Sequence, residues 1–304
     1  MTSMVFMLFL VLISFCGQIF AQEGKKILIL NSDKSIEKYL LTQTEFESVL
    51  TNPKVEIDLG SKWIDESAAK NTILKENPEV IFCIGSKAYL LVSTWSGNKN
   101  IVFSSIINWR RLPMGKNTSG ISTELPVGMQ LMMYRYFFPD IKNIGVLYSD
   151  IYNKEWLESV AEQAKEVGIN IVADAVSKPE DVCSNLKKIL PRIDAVWLIS
   201  DPIVISEKES VVEIFKQSKL AKKPVFTYDS VFADFGAALI ISADIPTIGR
   251  QAAGLVTEML VHKNIIDRVQ DPAGSYITIN LKKIEECGIK LNIEALDSVN
   301  QIIK

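Results

Sequence analysis

The sequence predicts an α/β protein of two similar, doubly wound lobes joined by a hinge of crossing strands. Three strand-like runs of the first half reappear in the same order in the second half. The matching runs are ILILNSD (27–33) with IGVLYSD (144–150), EVIFCIGS (79–86) with DAVWLISD (194–201), and IVF (101–103) with PVF (224–226). Each run is apolar, rich in β-branched residues and followed by a helical pattern, which is typical of a strand buried in a parallel sheet. Two sets of such strands indicate two lobes of one kind.

The first half alternates strands and helices with short connections. We predict strands at 26–30, 54–59, immediately before Gly85 and at 100–106, with helices at 35–50, 66–76 and 86–95. This alternation predicts a parallel sheet with right-handed crossovers. The irregular segment from Asn108 to Ser119, which contains proline and glycine, predicts a loop that leads to a first crossing between the lobes near 121–123.

The second half repeats the scheme and then continues for about sixty residues. Helices are predicted at 126–138, 153–167, 179–190 and 206–218, with strands at 143–148, 170–173, 195–199 and 224–227. The run 237–242 is predicted to end the second sheet, and a helix at 246–262, a strand at 276–280, a helix at 281–287 and a last helix from 293 follow it. The tail is long enough to return to the first lobe. We therefore predict a signal peptide at 1–21, an amino-terminal lobe at 22–121 plus about 245–275, a carboxyl-terminal lobe at 122–244, and a crossover strand with carboxyl-terminal helices at 276–304.

Composition excludes several classes of protein. The 304 residues are 48% hydrophobic and 23% charged, which is too apolar for a disordered chain. The net charge is −3 and the sequence has no block of Lys or Arg, so we expect neither nucleic acid nor an anionic membrane surface as a partner.

The amino terminus predicts export. Residues 1–22 contain no charged side chain and include an apolar core at 5–15, which indicates a secretory signal peptide and a periplasmic or other extracytoplasmic location. An uncleaved anchor is an alternative. Lipidation at Cys16 is disfavoured because Phe15 stands where a small residue is expected. Removal of this segment leaves Cys83, Cys183 and Cys287, an odd number at wide spacing that indicates neither a disulfide framework nor a metal cluster, although one pair is not excluded.

Polar and aromatic residues at the strand ends form the predicted site. In open α/β sheets small molecules bind outside the carboxyl ends of the strands, so two facing lobes would line one cleft. The candidates are Ser32, Gly85, Ser86, Asn108 and Trp109 from the first lobe, and Tyr148, Asp201, Tyr228 and Asp229 from the second.

Each candidate has a structural alternative. Gly85 and Ser86 open a predicted helix whose N–H groups favour a carboxylate, but Ser86 could simply be an N-cap. Asp201 could accept a hydrogen bond from an ammonium group, or cap the chain ahead of Pro202. The tyrosines could enclose an apolar ligand or only pack, and Trp109 with the Arg110 guanidinium could bind a carboxylate or form an exposed rim.

Catalytic signatures are missing from the sequence. His262 is the only histidine and lies at the end of a predicted surface helix, so a Ser-His-Asp or Cys-His site is nearly excluded. The nucleotide motifs GxGxxG and GxxxxGK[ST] are absent. Asp201 and Asp229 could form an acid/base pair, but the sequence does not fix their separation. We expect no enzyme activity, no cofactor and no metal.

Several motifs together carry a family resemblance. They are PEVIFCIGSKA (78–88), TSGIS (118–122), FFPDIKNIGVLYS (137–149), AVWLISD (195–201), the stretch 222–240, IGRQAAGLVTEML (248–260) and ITINLKKIEECGIKL (277–291). In this order they resemble the ABC transporter substrate-binding family, in the group that includes tryptophan and other amino acid binders. The resemblance implies two Rossmann-like lobes of the type I periplasmic binding protein fold that close on a small solute, an amino acid or related carboxylate. It also implies delivery to a membrane ABC permease and no catalysis. We expect a monomer.

Two departures leave the ligand and the role open. Lys87 stands where many relatives have a small residue or proline, and the loop after the fourth strand reads INWRR (107–111) rather than carrying Asp-Pro. The same fold could therefore serve as a solute-sensing module that acts on a membrane receptor or histidine kinase. An exported enzyme on this scaffold is disfavoured by the missing nucleophile and histidine.

Overall fold

Two β-sheets organise the chain in the computed structural model, which describes residues 24–60, 65–94, 99–261 and 267–304. The strands are Ile27–Asn31 (β1), Lys54–Asp58 (β2), Val80–Ile84 (β3), Asn100–Ser104 (β4), Thr118–Ile121 (β5), Asn143–Tyr148 (β6), Asn170–Ala175 (β7), Ala195–Trp197 (β8), Val225–Thr227 (β9), Leu239–Ala243 (β10), Val269–Gln270 (β11), Ser275–Asn280 (β12) and Gln301–Ile303 (β13). The predicted signal peptide and His262 lie outside the described residues.

Helices connect these strands. The α-helices are Glu37–Val49 (α1), Glu66–Glu76 (α2), Ser86–Ser93 (α3), Val127–Phe137 (α4), Asp150–Glu166 (α5), Val182–Ile189 (α6), Lys208–Leu220 (α7), Ile245–Val261 (α8) and Leu281–Cys287 (α9). Short 3₁₀ helices occupy Trp109–Arg111, Pro179–Asp181, Leu190–Arg192, Ser230–Ala233 and Ile293–Ser298.

Both sheets are doubly wound in the same way. The first has the order β11-β5-β4-β3-β1-β2, and all its neighbouring strands are parallel. The second has the order β13-β12-β10-β9-β8-β6-β7, and among these described strands β10 and β12 pair antiparallel whereas the other neighbours are parallel. In each sheet the first strand along the chain lies between the second and the third. The predicted fold class, two doubly wound α/β lobes, is confirmed.

Buried apolar strands and local caps explain why these elements form. Every residue of β1 and of β3 is buried, as expected for strands covered by helices on both faces. The Asp65 side chain accepts a hydrogen bond from the Ala68 N–H and so caps α2. At the other end of that helix, Asn77 adopts the left-handed conformation that often ends a helix.

Three chain segments cross between the sheets side by side. The Ser122 N–H donates to the Gln270 carbonyl at 2.9 Å, and the Asp244 N–H donates to the Gly274 carbonyl at 3.0 Å. After the second crossing, α8 packs against α1. A Cβ on Gly249 would lie 2.5 Å from the Thr42 carbonyl oxygen, so this close helix contact requires glycine. The packing of α8 on α1 and the pairing of β11 with β5 place both elements with the first lobe, whereas the exact lobe boundaries stay a prediction.

Three differences from the predicted elements affect the site and the tail. Helix α5 begins at Asp150 rather than at Asn153, and β8 ends at Trp197 rather than at Ile199. The last predicted helix is a 3₁₀ turn followed by β13, which pairs with β12 and extends the second sheet beyond β10. No helix in the described ranges is long and apolar enough to cross a bilayer.

The three cysteines of the described chain are free. Cys83 is buried, and Cys183 and Cys287 are half-buried.

Candidate ligand-binding cleft

A cleft of about 710 Å³ lies between the two lobes. Its volume falls in the range of roughly 300–1,000 Å³ that is typical of small-molecule sites. The lining comes from the ends of both sheets and from the crossing segments: Lys38, Ser105, Asn108, Arg110 and Arg111 from the first lobe, Glu124 and Asp271 from the crossings, and Tyr152, Asn153, Trp156, Trp197, Ser200, Tyr228 and Asp229 from the second lobe. Among the described residues, no group of three or more His, Cys, Asp or Glu side chains is arranged to hold a metal ion.

Aromatic side chains form one wall of the cleft. The Trp156 and Trp197 rings meet edge to face, with centroids 5.5 Å apart and planes at 64°. Trp197 in turn meets Tyr134 edge to face at 5.3 Å, which anchors the wall in the core of the second lobe. Tyr228 adds a third ring, and burial raises its pKa, with a smaller contribution from the neighbouring Asp229 carboxylate. The cleft therefore offers flat apolar surface beside an uncharged phenol.

The loop after β4 carries unusual backbone at the cleft. Ser105 and Asn108 both have a φ of 58°, in the left-handed region that non-glycine residues seldom adopt. The Asn108 side-chain amide donates to the Ser200 carbonyl at 3.0 Å, and its Oδ1 accepts from the Ser200 hydroxyl at 3.2 Å. Strained backbone of this kind is held by its surroundings and is found preferentially at binding sites. At Asn108, a pair of side-chain hydrogen bonds joins this loop to the opposite lobe.

Two of the cations at the cleft have a carboxylate partner. The Lys38 Nζ lies 3.6 Å from the Asp229 Oδ2 and so forms an ion pair between the lobes. The Arg110 Nη1 lies 2.8 Å from the Glu124 Oε2, and its guanidinium stacks on the Trp109 ring at 4.6 Å. These side chains are partly exposed, so each pair contributes about 0–1 kcal/mol to stability.

Arg111 is placed differently. Its Nη2 donates to the Asn153 Oδ1 at 3.0 Å, and its guanidinium carbon lies 4.9 Å from the centroid of the Tyr152 ring, so both contacts cross the cleft. Burial lowers the pKa of Arg111, and the more distant Asp201 and Glu124 carboxylates only partly oppose that shift. Within the described chain, the salt bridges of 4.0 Å or less do not include Arg111.

Asp201 is a buried acceptor rather than a group open to a ligand. Its Oδ2 accepts from the Ser149 N–H and hydroxyl, both at 2.7 Å, and from the Asn153 Nδ2 at 2.6 Å. Its Oδ1 accepts from the Ile203 and Val204 N–H groups at 2.8 and 3.1 Å. Burial would raise the pKa of Asp201, but the hydrogen bonds, chiefly those from Ser149, outweigh it and hold the pKa below its usual value. Its lone pairs are used within its own lobe.

The residues that follow β1 and β3 contact one another at the start of α3. The Ser32 Oγ accepts from the Ala88 N–H at 3.0 Å and so caps α3 from a neighbouring strand. Gly85 precedes that helix with a φ of 85°, and a Cβ there would lie 2.6 Å from the Ser32 Oγ. Ser86 is the half-buried first residue of α3, not its N-cap. The first turn of α3 thus has an internal acceptor.

The structure brings three of the nine predicted site residues together in the cleft lining. These are Asn108, Tyr228 and Asp229. The other six are Ser32, Gly85, Ser86, Trp109, Tyr148 and Asp201, which are not part of the lining among the described residues. The Trp109 ring packs 6.2 Å from Phe103 and turns towards the core of the first lobe, and Tyr148 is half-buried at the end of β6. That any of the nine contacts a solute stays a prediction.

Sequence reasoning missed several lining residues. Asn153 and Trp156 belong to the first two turns of α5, which begins three residues earlier than predicted. Trp197 was assigned to the interior of a strand, but β8 ends there. Arg111 directly follows Trp109 and Arg110, which the sequence analysis did consider, but it was not itself a candidate. A prediction based on strand ends alone does not reach Asn153 and Trp156, because both lie within a helix.

Comparison with known proteins agrees with the fold. Residues 61–303 match the family model described as ABC transporter substrate binding protein. A curated relative, a tyrosine-binding protein from Clostridioides difficile, is 24% identical over 155 residues, which are 50% of this chain and 44% of that protein. The match thus spans less than half the length of that relative.

Solved structures share the fold over most of the chain. The ligand-free, open structure of a substrate-binding protein with adhesive properties from Clostridium difficile has a TM-score of 0.74 and 18% identity, with 92% of this chain and 99% of that chain covered. An ABC domain in complex with L-Trp from Streptococcus pneumonia has a TM-score of 0.63 and 18% identity, with 92% and 100% covered. Because the family match covers most of the sequence and the two-lobed fold agrees with it, the chain belongs to the ABC transporter substrate-binding protein family.

Proposed function

We propose that this protein is an extracytoplasmic solute-binding protein that captures an aromatic amino acid between its lobes and delivers it to an ABC permease. The observation that carries the proposal is the composition of the interlobe cleft. Its lining joins the Trp156–Trp197 wall to side chains of both charges, in a volume suited to a small molecule. The names of two similar proteins, one binding tyrosine and one crystallised with L-Trp, support the same class of ligand.

The chemistry of the lining matches a zwitterion with a flat apolar side chain. An aromatic ring packs favourably against Trp156 in an offset or edge-on arrangement, which contributes roughly 0.5–1.5 kcal/mol beyond the buried area. The ammonium group of an amino acid needs acceptors, and the Glu124 and Asp271 carboxylates are part of the lining. The carboxylate needs donors, which the loop after β4 and the cleft cations supply.

Closure of the lobes would couple binding to transport. Lining residues come from both sheets, so a solute that contacts both lobes stabilises the closed arrangement over the open one. A permease can then distinguish the loaded protein from the empty one by shape. We propose that the protein acts as a monomer in this cycle and that the amino-terminal signal directs its export.

A ligand screen tests the proposal. The chain from residue 22 onward is heated with each of the twenty amino acids, with sugars and with purines, and the ligands that raise its melting temperature are measured by calorimetry. L-Tryptophan or L-tyrosine is expected to stabilise it by about 2.7 kcal/mol at a concentration of 100 times Kd. Stabilisation by a sugar or purine, with no response to any amino acid, would contradict the proposal.

A pair of variants places the binding event in the cleft. Trp156→Ala removes one ring of the aromatic wall and is expected to weaken binding of the aromatic amino acid at least about tenfold. Tyr136→Ala removes an exposed ring on α4, which is not part of the cleft lining, and is expected to leave affinity unchanged. Equal affinities for the two variants would show that the ligand does not contact the aromatic wall.

A further inference from the structure

Arg111 differs from the other cations of the cleft in what surrounds it. Lys38 and Arg110 each have a carboxylate oxygen within 4.0 Å, at 3.6 and 2.8 Å. Arg111 lines the same cleft and is more shielded than Arg110, yet among the described residues its hydrogen-bond partner is the neutral amide of Asn153. A cation that is partly removed from water is stabilised by an anion. The protein itself supplies none in contact with Arg111 within the described ranges.

The orientation of Arg111 is set from the opposite lobe. Asn153 can point either its oxygen or its nitrogen across the cleft, and only the oxygen can accept from a guanidinium. The Asn153 Nδ2 donates to the Asp201 carboxylate at 2.6 Å, which directs Oδ1 towards the Arg111 Nη2. Asp201 is in turn held by four hydrogen bonds from Ser149, Ile203 and Val204. A fixed chain of contacts therefore runs from the core of the second lobe to a cation of the first.

The guanidinium keeps donors for a second partner. It has five N–H groups in a rigid plane, and the contact with Asn153 uses one of them. That plane matches the two oxygens of a carboxylate, and hydrogen bonds between ions are roughly twice as strong as neutral ones. Arg111 can thus bind an acid group in the cleft while Asn153 still holds it.

We propose that Arg111 binds the carboxylate of the captured solute, and that the hydrogen bond from Arg111 to Asn153 across the cleft couples this contact to the approach of the two lobes. Asp201 acts as a positioning residue, because it fixes the amide of Asn153. The proposal deepens the proposed function on which it rests, since it names the group of the solute that the site recognises and the residue that recognises it.

Paired ligands and paired variants test the carboxylate contact. L-Tryptophan and tryptamine differ in the carboxylate, and L-tyrosine and tyramine form a second such pair. Calorimetry on the wild type is expected to show at least about tenfold tighter binding of each amino acid than of its amine. Arg111→Ala is expected to weaken binding of the amino acid about thirtyfold and that of the amine less than threefold. Arg192→Ala removes the same charge from an exposed side chain that is not part of the cleft lining, and is expected to change both by less than threefold.

The positioning role has its own readout. Asn153→Ala leaves Arg111 in place but removes its anchor, and is expected to weaken binding of the amino acid about tenfold while leaving the amine unaffected. Arg111→Lys keeps the charge without the planar fork and is expected to recover part of the loss seen in Arg111→Ala. A loss of amine binding equal to that of the amino acid would mean that these residues act only through packing, and would overturn the proposal.

Measurements without ligand separate this proposal from the proposed function. Small-angle X-ray scattering of the empty protein is expected to show a larger radius of gyration for Arg111→Ala than for the wild type and Arg192→Ala. Equal radii of gyration would overturn the proposal that Arg111 and Asn153 hold the two lobes together across the cleft. Equal affinity of the wild type for amino acid and amine would overturn the carboxylate contact but leave an aromatic ligand in place. If the wild type binds neither member of either pair, the proposed function is contradicted, and the carboxylate contact with it.

Discussion

Replacing the buried Asp201 by alanine tests whether this carboxylate organises the second lobe. The substitution removes the acceptor for five hydrogen bonds, two of them donated by Ser149, which is fully buried. A buried donor left without an acceptor costs about 1–3 kcal/mol. Counting only the two donors of Ser149 at about 1.5 kcal/mol each, we expect Asp201→Ala to lower the free energy of unfolding by about 3 kcal/mol.

Urea denaturation followed by tryptophan fluorescence measures this loss at neutral pH. Asp297→Ala serves as the control, because Asp297 is exposed, and it is expected to stay within about 0.5 kcal/mol of the wild type. A loss below about 1 kcal/mol for Asp201→Ala would refute the reasoning.

The pH dependence gives a second check on the same pair of proteins. The pKa of Asp201 is lowered in the folded state, so its ionised form stabilises the fold at pH values above the unfolded pKa of about 3.9. The difference between wild type and Asp201→Ala is therefore expected to be complete above about pH 5 and to shrink as the pH falls through the folded pKa. A difference that grows on acidification would contradict the assignment.

The remaining predictions concern backbone and thiol chemistry. Gly85→Ala is expected to destabilise the protein by about 1–3 kcal/mol in thermal or urea unfolding, because φ is 85° and the new Cβ would lie 2.6 Å from the Ser32 Oγ. Gly254→Ala, on an open face of α8 with no atom within 4 Å of the new Cβ, is expected to raise stability by about 0.5–1 kcal/mol. A Gly254→Ala variant less stable than Gly85→Ala would refute this reasoning. Burial raises the pKa of the Cys83 thiol, so iodoacetamide at pH 7.5 is expected to label half-buried Cys183 in the native protein and Cys83 only after unfolding, as read by mass spectrometry. Early labelling of Cys83 would contradict its burial.

The fold was predictable because the sequence repeats one local pattern, an apolar strand followed by a helix. The apolar runs that become β1, β3, β6 and β8 are each followed by a helix, and their order alone indicates two doubly wound sheets. The three-residue strand β13 was missed because QII carries no periodicity that distinguishes it from the end of a helix.

The site was predictable only where it follows directly from a strand end. Asn108, Tyr228 and Asp229 come just after β4 and β9 and do line the cleft. Asp201 also follows a strand, but whether its carboxylate faces the cleft or the core depends on the donors that the folded chain places around it. Tertiary hydrogen bonds of this kind cannot be read from spacing.

Helical lining residues were harder still. Asn153 and Trp156 lie three residues apart inside α5 and therefore on one face of that helix. A prediction that takes its candidates from strand ends does not include positions within a helix.

A crystal structure of the protein grown with L-tryptophan tests the central claim most directly. We expect the indole ring of the ligand to lie against Trp156 and Trp197 between the lobes, with its carboxylate within hydrogen-bonding distance of Arg111. Crystals that show the same protein with an empty cleft at saturating L-tryptophan and at saturating L-tyrosine, or with the amino acid bound elsewhere, would contradict the account.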